Sequence, residues 1–142
     1  VKDGATVLVD TGPFVALFDP SEESHGDCKH ALAGLRHRRL VTSLAVVTEA
    51  THLLGFSPRA QLAFLSFLAA GAVEIADVTA AQVAQAAALM ERFADLPMDF
   101  ADATLVVLAE HLGTMTIFTL DDRDFSIYRV GRRVFRRIPQ KR

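Results

Sequence analysis

The chain has a single cysteine, Cys28, so no internal disulfide is available to it, which favours a reducing compartment. It also lacks a long apolar run. The longest nearly apolar segment, "LAFLSFLAAGAV", is interrupted at Gly71 and is too short to span a bilayer. At the start, Lys2 and Asp3 precede only the short apolar run from Ala5 to Val9, which does not match a secretory leader. A soluble, cytoplasmic protein with no membrane partner is therefore expected. Internal repeats, linkers and low-complexity stretches are lacking too, so the 142 residues read as one domain, 1–142, long enough to bury a core. With 51% apolar and 23% charged residues, the composition is that of a globular protein rather than a disordered one.

Acids are missing from one region. Residues 129–142, "RVGRRVFRRIPQKR", carry seven basic residues and no acid, which leaves 8 basic and 17 acidic residues on 1–128. An acidic body with a basic end favours a polyanionic partner, although a solvated terminal strand accounts for the pattern equally well. Arg132, Arg133, Arg136 and Arg137 are the residues expected to meet such a partner.

The pattern along the chain alternates strands and helices. "ATVLV" (5–9) is an apolar, β-branched run, as in a strand buried on both faces of a parallel sheet. A short helical piece is expected over 13–18, a helix to about Leu35, a strand near 39–42, and a helix capped by Ser43. Ser57-Pro58 opens a further helix that Gly71 ends, and a strand follows around 73–76. Thr79 caps an alanine-rich helix, and "DLPMD" separates it from the helix closed by Gly113. A strand over 115–120, a turn at "DDRDF", a short strand near 126–129 and a further one at 134–137 complete the chain. This order predicts a three-layer α/β/α sandwich around a mainly parallel sheet.

The stretch "VLVDTGPF" (7–14) contains the Asp-Thr-Gly with which an aspartic protease places half of its carboxylate dyad. That chemistry needs a β-rich chain and a second Asp-Thr-Gly, from an internal copy or a partner chain. This sequence reads mostly helical and holds no copy. A haloacid dehalogenase-type phosphatase also uses an Asp after its first strand but wants another Asp two positions on, where Gly12 stands.

In open parallel sheets, ligands sit beyond the carboxyl ends of the strands. Asp10 follows the first strand, Glu49 lies about two turns into the helix after the second, Asp102 lies in the first turn of the helix near Asp99, and Asp121 follows the strand ending near Thr119. Singly, each has an ordinary structural use: Asp10 as a cap, Glu49 as a solvated charge, Asp102 as a helix-dipole partner. Gathered at one edge they would repel one another and raise each other's pKa, a cost that a divalent cation removes. Oxygen-only ligands select Mg²⁺ or Mn²⁺. His25, His30, His37, His52 and His111 are too scattered for a zinc set, with His52 read as a helix residue and Cys28 as a small core residue.

Four segments in order, "VLVDTGPFVALFD", "TSLAVVTEATHLL", "MDFADATLVVLAEHLG" and "IFTLDDRDF", closely resemble the PIN domain, the ribonuclease fold of VapC-type toxins. The resemblance covers nearly the whole chain. It implies that Asp10, Glu49, Asp102 and Asp121 are the catalytic, metal-binding acids, with Thr119 ordering the site and Asp99 able to join a second metal site. Asp124 matches the family's "Asp-Phe" and is read as a structural cap or turn acid, and Asp122 as an exposed turn residue. The implied activity is metal-dependent hydrolysis of RNA phosphodiester bonds by the toxin of a type II toxin–antitoxin system, with an antitoxin as partner. A housekeeping PIN nuclease and a non-catalytic RNA-binding PIN domain are the alternatives. Non-catalytic members usually lose acids, and this chain keeps all four. Apolar residues on more than one face of "LLGFSPRAQLAFLSFL" suggest an interface over 53–69, where the resemblance implies a homodimer and antitoxin docking; a helix buried between neighbours within the monomer is the competing reading.

Overall fold

Thr6–Val9 form strand β1, and all four residues are buried, as their apolar and β-branched side chains require of a strand covered on both faces. The computed structural model describes residues 5–139. β1 pairs in parallel with β2 (Arg39–Ser43) on one side and with β4 (Thr116–Phe118) on the other. β3 (Glu74–Ala76) extends the sheet beyond β2 and β7 (Arg136–Ile138) extends it beyond β4, giving the order β3-β2-β1-β4-β7. Every pairing in this sheet is parallel. Helices pack on both of its faces.

Local chemistry sets where each helix starts. The Asp10 carboxylate accepts from the Thr11 amide and opens α1 (Thr11–Phe18), so this helix begins before residue 13, and Pro13 falls in the first turn where its missing N–H costs nothing. α2 spans His25–Gly34, with His25 Nδ1 2.7 Å from the Ala16 carbonyl on α1. Ser43 caps α3 (Leu44–Leu53), and Ser57 with Pro58 opens α4 (Pro58–Ala69). Thr79 and Gln82 form a reciprocal capping box at the start of α5 (Ala80–Arg92). Asp99 caps α6 (Phe100–Leu112), which Gly113 ends at φ 69°, a conformation that glycine adopts without penalty.

The C-terminal part departs from the expected pattern. The acids of "DDRDF" form not a turn but the first turns of a helix, α7 (Asp122–Ile127), capped by Asp121. Ser126 and Ile127 therefore belong to that helix, and the strand expected near 126–129 shrinks to β5 (Arg129–Val130). β5 pairs with β6 (Arg133–Val134) in a small antiparallel hairpin, and the strand expected at 134–137 divides between β6 and β7. Asp122 is not a solvated turn residue either, because the Arg137 Nε donates to its Oδ1 at 2.6 Å. The basic segment is thus partly built into the main sheet; Lys141 and Arg142 lie outside the described residues.

The core runs along β1, β2, β4 and α6, and includes Leu8, Phe14, Phe64, Leu105, Leu108, Ile117 and Phe118. Cys28 is fully buried within it, as a small apolar side chain. Among the described residues, no helix is long and apolar enough to cross a membrane.

Candidate active site

β1 is followed in sequence by β2 but in space also borders β4, so the strand order reverses at the boundary of β1 and β4. The crevice beyond the carboxyl ends of these two strands is where such sheets bind ligands. Asp10 stands one residue past β1, its amide donating to the Phe118 carbonyl at 2.9 Å. Thr119 stands one residue past β4. Its hydroxyl donates to Asp10 Oδ2 at 2.8 Å and accepts from the Asp121 amide at 2.9 Å. Gly12 lets the first turn of α1 approach this corner closely: a Cβ there would lie 3.3 Å from the Leu120 Cβ.

Helix starts bring the remaining acids to the same place. Asp99 Oδ1 accepts from the Asp102 amide at 2.8 Å, and Asp121 Oδ1 accepts from the Asp124 amide at 2.9 Å. Glu49, two turns into α3, accepts from the Thr11 hydroxyl through Oε2 at 3.3 Å. The result is an open cleft of about 480 Å³ whose acidic lining is Asp10, Glu22, Glu49, Asp99, Asp102, Asp121 and Asp124. Among the described residues, no lysine or arginine lines it.

The carboxylates feel one another and their burial. Asp10 is 6% exposed, and burial pushes its carboxyl up to about 6, against the Thr119 and Thr11 hydrogen bonds that pull it down. Burial first, then the charges of Asp10 and Asp99, push Asp102 up to about 8. Glu49 is raised by burial and by Asp99, and Asp124 by burial and by Asp121. Carboxylates from Asp102, Asp121 and Asp124 reach within 4.8 Å of one another, and among the described residues no histidine joins them. A crowd of carboxylates without a protein cation fits a hard divalent ion, whose charge removes the repulsion and whose preferred ligands are oxygens.

The acids expected from the sequence all line this cleft, and Thr119 ties two of them together. Asp124, expected as a cap or turn acid, lies with its carboxylate in the tightest group, because α7 turns it back toward Asp102. Tyr128 had no sequence signal at all: its hydroxyl donates to Asp102 Oδ2 at 3.1 Å. His52 is exposed and is not among the residues lining the cleft. Arg132, Arg133 and Arg136 are exposed; neither they nor Arg137 line the cleft.

The PIN domain family model matches residues 7–132. The chain belongs to the PIN domain family. Members of this family use divalent metal ions, in keeping with the acid cluster here. The chain is 38% identical over 125 residues to Ribonuclease VapC26 of Mycobacterium tuberculosis (strain ATCC 25618 / H37Rv), covering 87% of this chain and 92% of that protein. Among solved structures, Mycobacterium tuberculosis VapC20, a Sarcin-Ricin loop cleaving toxin, matches with a TM-score of 0.76 at 26% identity, over 82% of this chain and 91% of that one. VapBC2 from Rickettsia felis, bound to a DNA fragment from its promoter, shares the fold with a TM-score of 0.67 at 15% identity, over 93% of this chain and 98% of that one.

Proposed function

We propose that this PIN domain, acting as one domain over 1–142, is a metal-dependent endoribonuclease that hydrolyses RNA phosphodiester bonds as the toxin of a type II toxin–antitoxin pair. The observation that carries the reading is the all-carboxylate cleft at the β1–β4 boundary, in a chain 38% identical to a VapC ribonuclease. Asp10, Glu49, Asp102 and Asp121 are the catalytic acids, and Asp102, Asp121 and Asp124 would hold an ion, with Asp99 lining the same cleft. The donor set is all oxygen, which favours Mg²⁺ or Mn²⁺. When bound, such an ion lowers the pKa of the attacking water and neutralises charge that develops on the phosphoryl group. Thr119 fixes the Asp10 carboxylate, and Thr11 orients Glu49. No side chain of the cleft is placed as a covalent nucleophile.

The polyanionic substrate must be held by cations outside the cleft, and the basic segment with Arg132, Arg133 and Arg136 is the group we assign to that task. The exposed apolar residues Leu53, Phe56, Leu62 and Leu65, on α3, α4 and the turn between them, support a homodimer contact with an antitoxin segment docked beside it. A cytoplasmic setting follows from such a substrate. The decisive experiment is cleavage of a structured RNA by the purified chain, with Mg²⁺ or Mn²⁺ and with chelator. Cleavage that needs the ion supports the reading, and full cleavage in chelator overturns it.

A further inference from the structure

The chain contains one tyrosine and no tryptophan. That tyrosine, Tyr128, is fully buried at the end of α7. Its ring is fixed from two sides, edge-on to Phe125 at 5.0 Å and to Phe93 at 5.3 Å. Phe125 in turn meets Phe135, between β6 and β7, at 5.5 Å. A phenylalanine would satisfy all of this packing. What it would lack is the hydroxyl, which crosses from this aromatic cluster to Oδ2 of Asp102 at 3.1 Å. A carboxylate is free to rotate about its terminal bond unless something holds one oxygen, and at Asp102 the tyrosine does so from a rigid apolar wall.

We propose that Tyr128 is a positioning residue for the metal-binding carboxylate of Asp102: it commits Oδ2 and leaves the other oxygen for an ion shared with Asp121 and Asp124. The inference rests on the metal-dependent reading given above. Partners that orient a ligand from behind commonly change metal affinity by about 10–100-fold when removed. Because Tyr128 is the sole tyrosine and the chain has no tryptophan, its emission can be followed alone, at the side chain that touches Asp102.

The test uses the full chain, stripped of metal by chelator. Mn²⁺ binding is measured by calorimetry for wild type and Tyr128→Phe, and Mg²⁺ is titrated into wild type while tyrosine emission is followed. Expected are about tenfold weaker Mn²⁺ binding in Tyr128→Phe, with its circular dichroism unchanged, and recovery of the cleavage rate when the ion is raised to saturation. Wild-type emission should change with Mg²⁺ and saturate with binding, and Asp102→Asn should abolish that change. Equal Mn²⁺ affinity in wild type and Tyr128→Phe overturns the role of the hydroxyl while leaving the metal site standing. Failure of wild type itself to bind either ion removes the metal reading and this inference with it. Should Tyr128→Phe not fold, the wild-type titration decides alone, and emission that stays constant through saturation overturns the proposal.

Discussion

The Thr119 hydroxyl donates to Oδ2 of Asp10 at 2.8 Å while accepting from the Asp121 amide at 2.9 Å, so one oxygen joins the ends of two neighbouring parallel strands. Thr119→Val removes both bonds at nearly constant volume. It leaves the buried Asp10 oxygen without its donor and the Asp121 amide without its acceptor, at a cost of roughly 1–3 kcal/mol for each group left unsatisfied. Thr119→Ser keeps both bonds. Urea unfolding should place Thr119→Val well below wild type and Thr119→Ser near it; a wild-type midpoint for the valine variant would show that this hydroxyl holds nothing together.

The raised acids make the metal-free protein sensitive to alkali. Asp10 moves from an ordinary 3.8 to about 6 and Asp102 from 3.8 to about 8. A carboxyl with a raised folded pKa keeps its proton in the native state after the unfolded chain has released it. Its contribution is complete below the unfolded pKa and is lost as pH climbs through the folded one. Without metal, stability should therefore fall between about pH 4 and about pH 8. A divalent ion takes the place of the protons, so Mg²⁺ should restore the melting temperature at the alkaline end and do little at the acid end. Calorimetry in chelator that shows no decline over this range would contradict the repulsion argument.

Asp102→Asn separates charge from shape. The amide oxygen can still accept from Tyr128, but one negative charge leaves the cluster. RNA cleavage should drop by about 10²-fold or more, the scale of losing one electrostatic partner at a reacting centre. The metal-free variant should melt above wild type near pH 8, because repulsion is relieved. Asp10→Asn should lose activity equally but gain less stability, since both Asp10 oxygens accept hydrogen bonds and an amide offers only one acceptor. Activity retained in Asp102→Asn would remove this residue from the catalytic set.

What could be read from the sequence was whatever neighbouring residues decide. Ser43, Ser57 and Thr79 cap their helices through the amide three positions on, and β1 is apolar or β-branched throughout, so these elements were legible. Asp10, Glu49, Asp102 and Asp121 could be picked out because each sits at a fixed offset from such an element. The helix α7 was missed because "DDRDF" also has the composition of a turn, and only the Asp121 cap on the Asp124 amide decides for helix. That one difference aims the Asp124 carboxylate at the cluster. The Tyr128 hydrogen bond to Asp102 and the Arg137 pairing with Asp122 join residues 26 and 15 positions apart, and β7 finds β4 across the length of α7 and the hairpin. No local pattern encodes such pairings.

The arginines of the basic segment should divide by role. Arg137 is committed to Asp122 and to the Phe135 carbonyl, whereas Arg132 and Arg136 present exposed side chains. Arg137→Gln should cost about 0.2–1 kcal/mol, the range for a half-exposed ion pair weakened by solvent, and change the salt dependence of RNA binding little. Neutralising Arg132, Arg133 and Arg136 together should weaken RNA binding and flatten its dependence on salt, by up to about 0.7 in log–log slope for each phosphate of a single strand that the protein no longer neutralises. A filter-binding titration across salt concentrations measures both. An unchanged slope in the triple variant would place the RNA elsewhere on the surface.

The two faces of α4 should respond oppositely to a charge. Phe64 and Leu68 are buried, and Phe67 packs edge-on against Phe18 at 5.4 Å, so this side belongs to the core of the chain itself. Leu62 is 66% exposed and Leu65 39%, and Phe56 and Leu53 add exposed apolar surface on the preceding turn and α3, where Leu53 also lines the cleft. Phe67→Asp should destabilise the monomer by about 3 kcal/mol or more, the scale of deleting a packed aromatic ring. Leu62→Asp should leave circular dichroism and melting temperature near wild type. If copies of the chain meet through this surface, the same substitution buries an unpaired charge at the interface. A penalty of several kcal/mol there shifts the dissociation constant by about two orders of magnitude or more. Light scattering at micromolar concentration should then report a dimer for wild type and a folded monomer for Leu62→Asp. A wild type that is already monomeric removes the dimer, and a Leu62→Asp variant that stays dimeric moves the interface off α4.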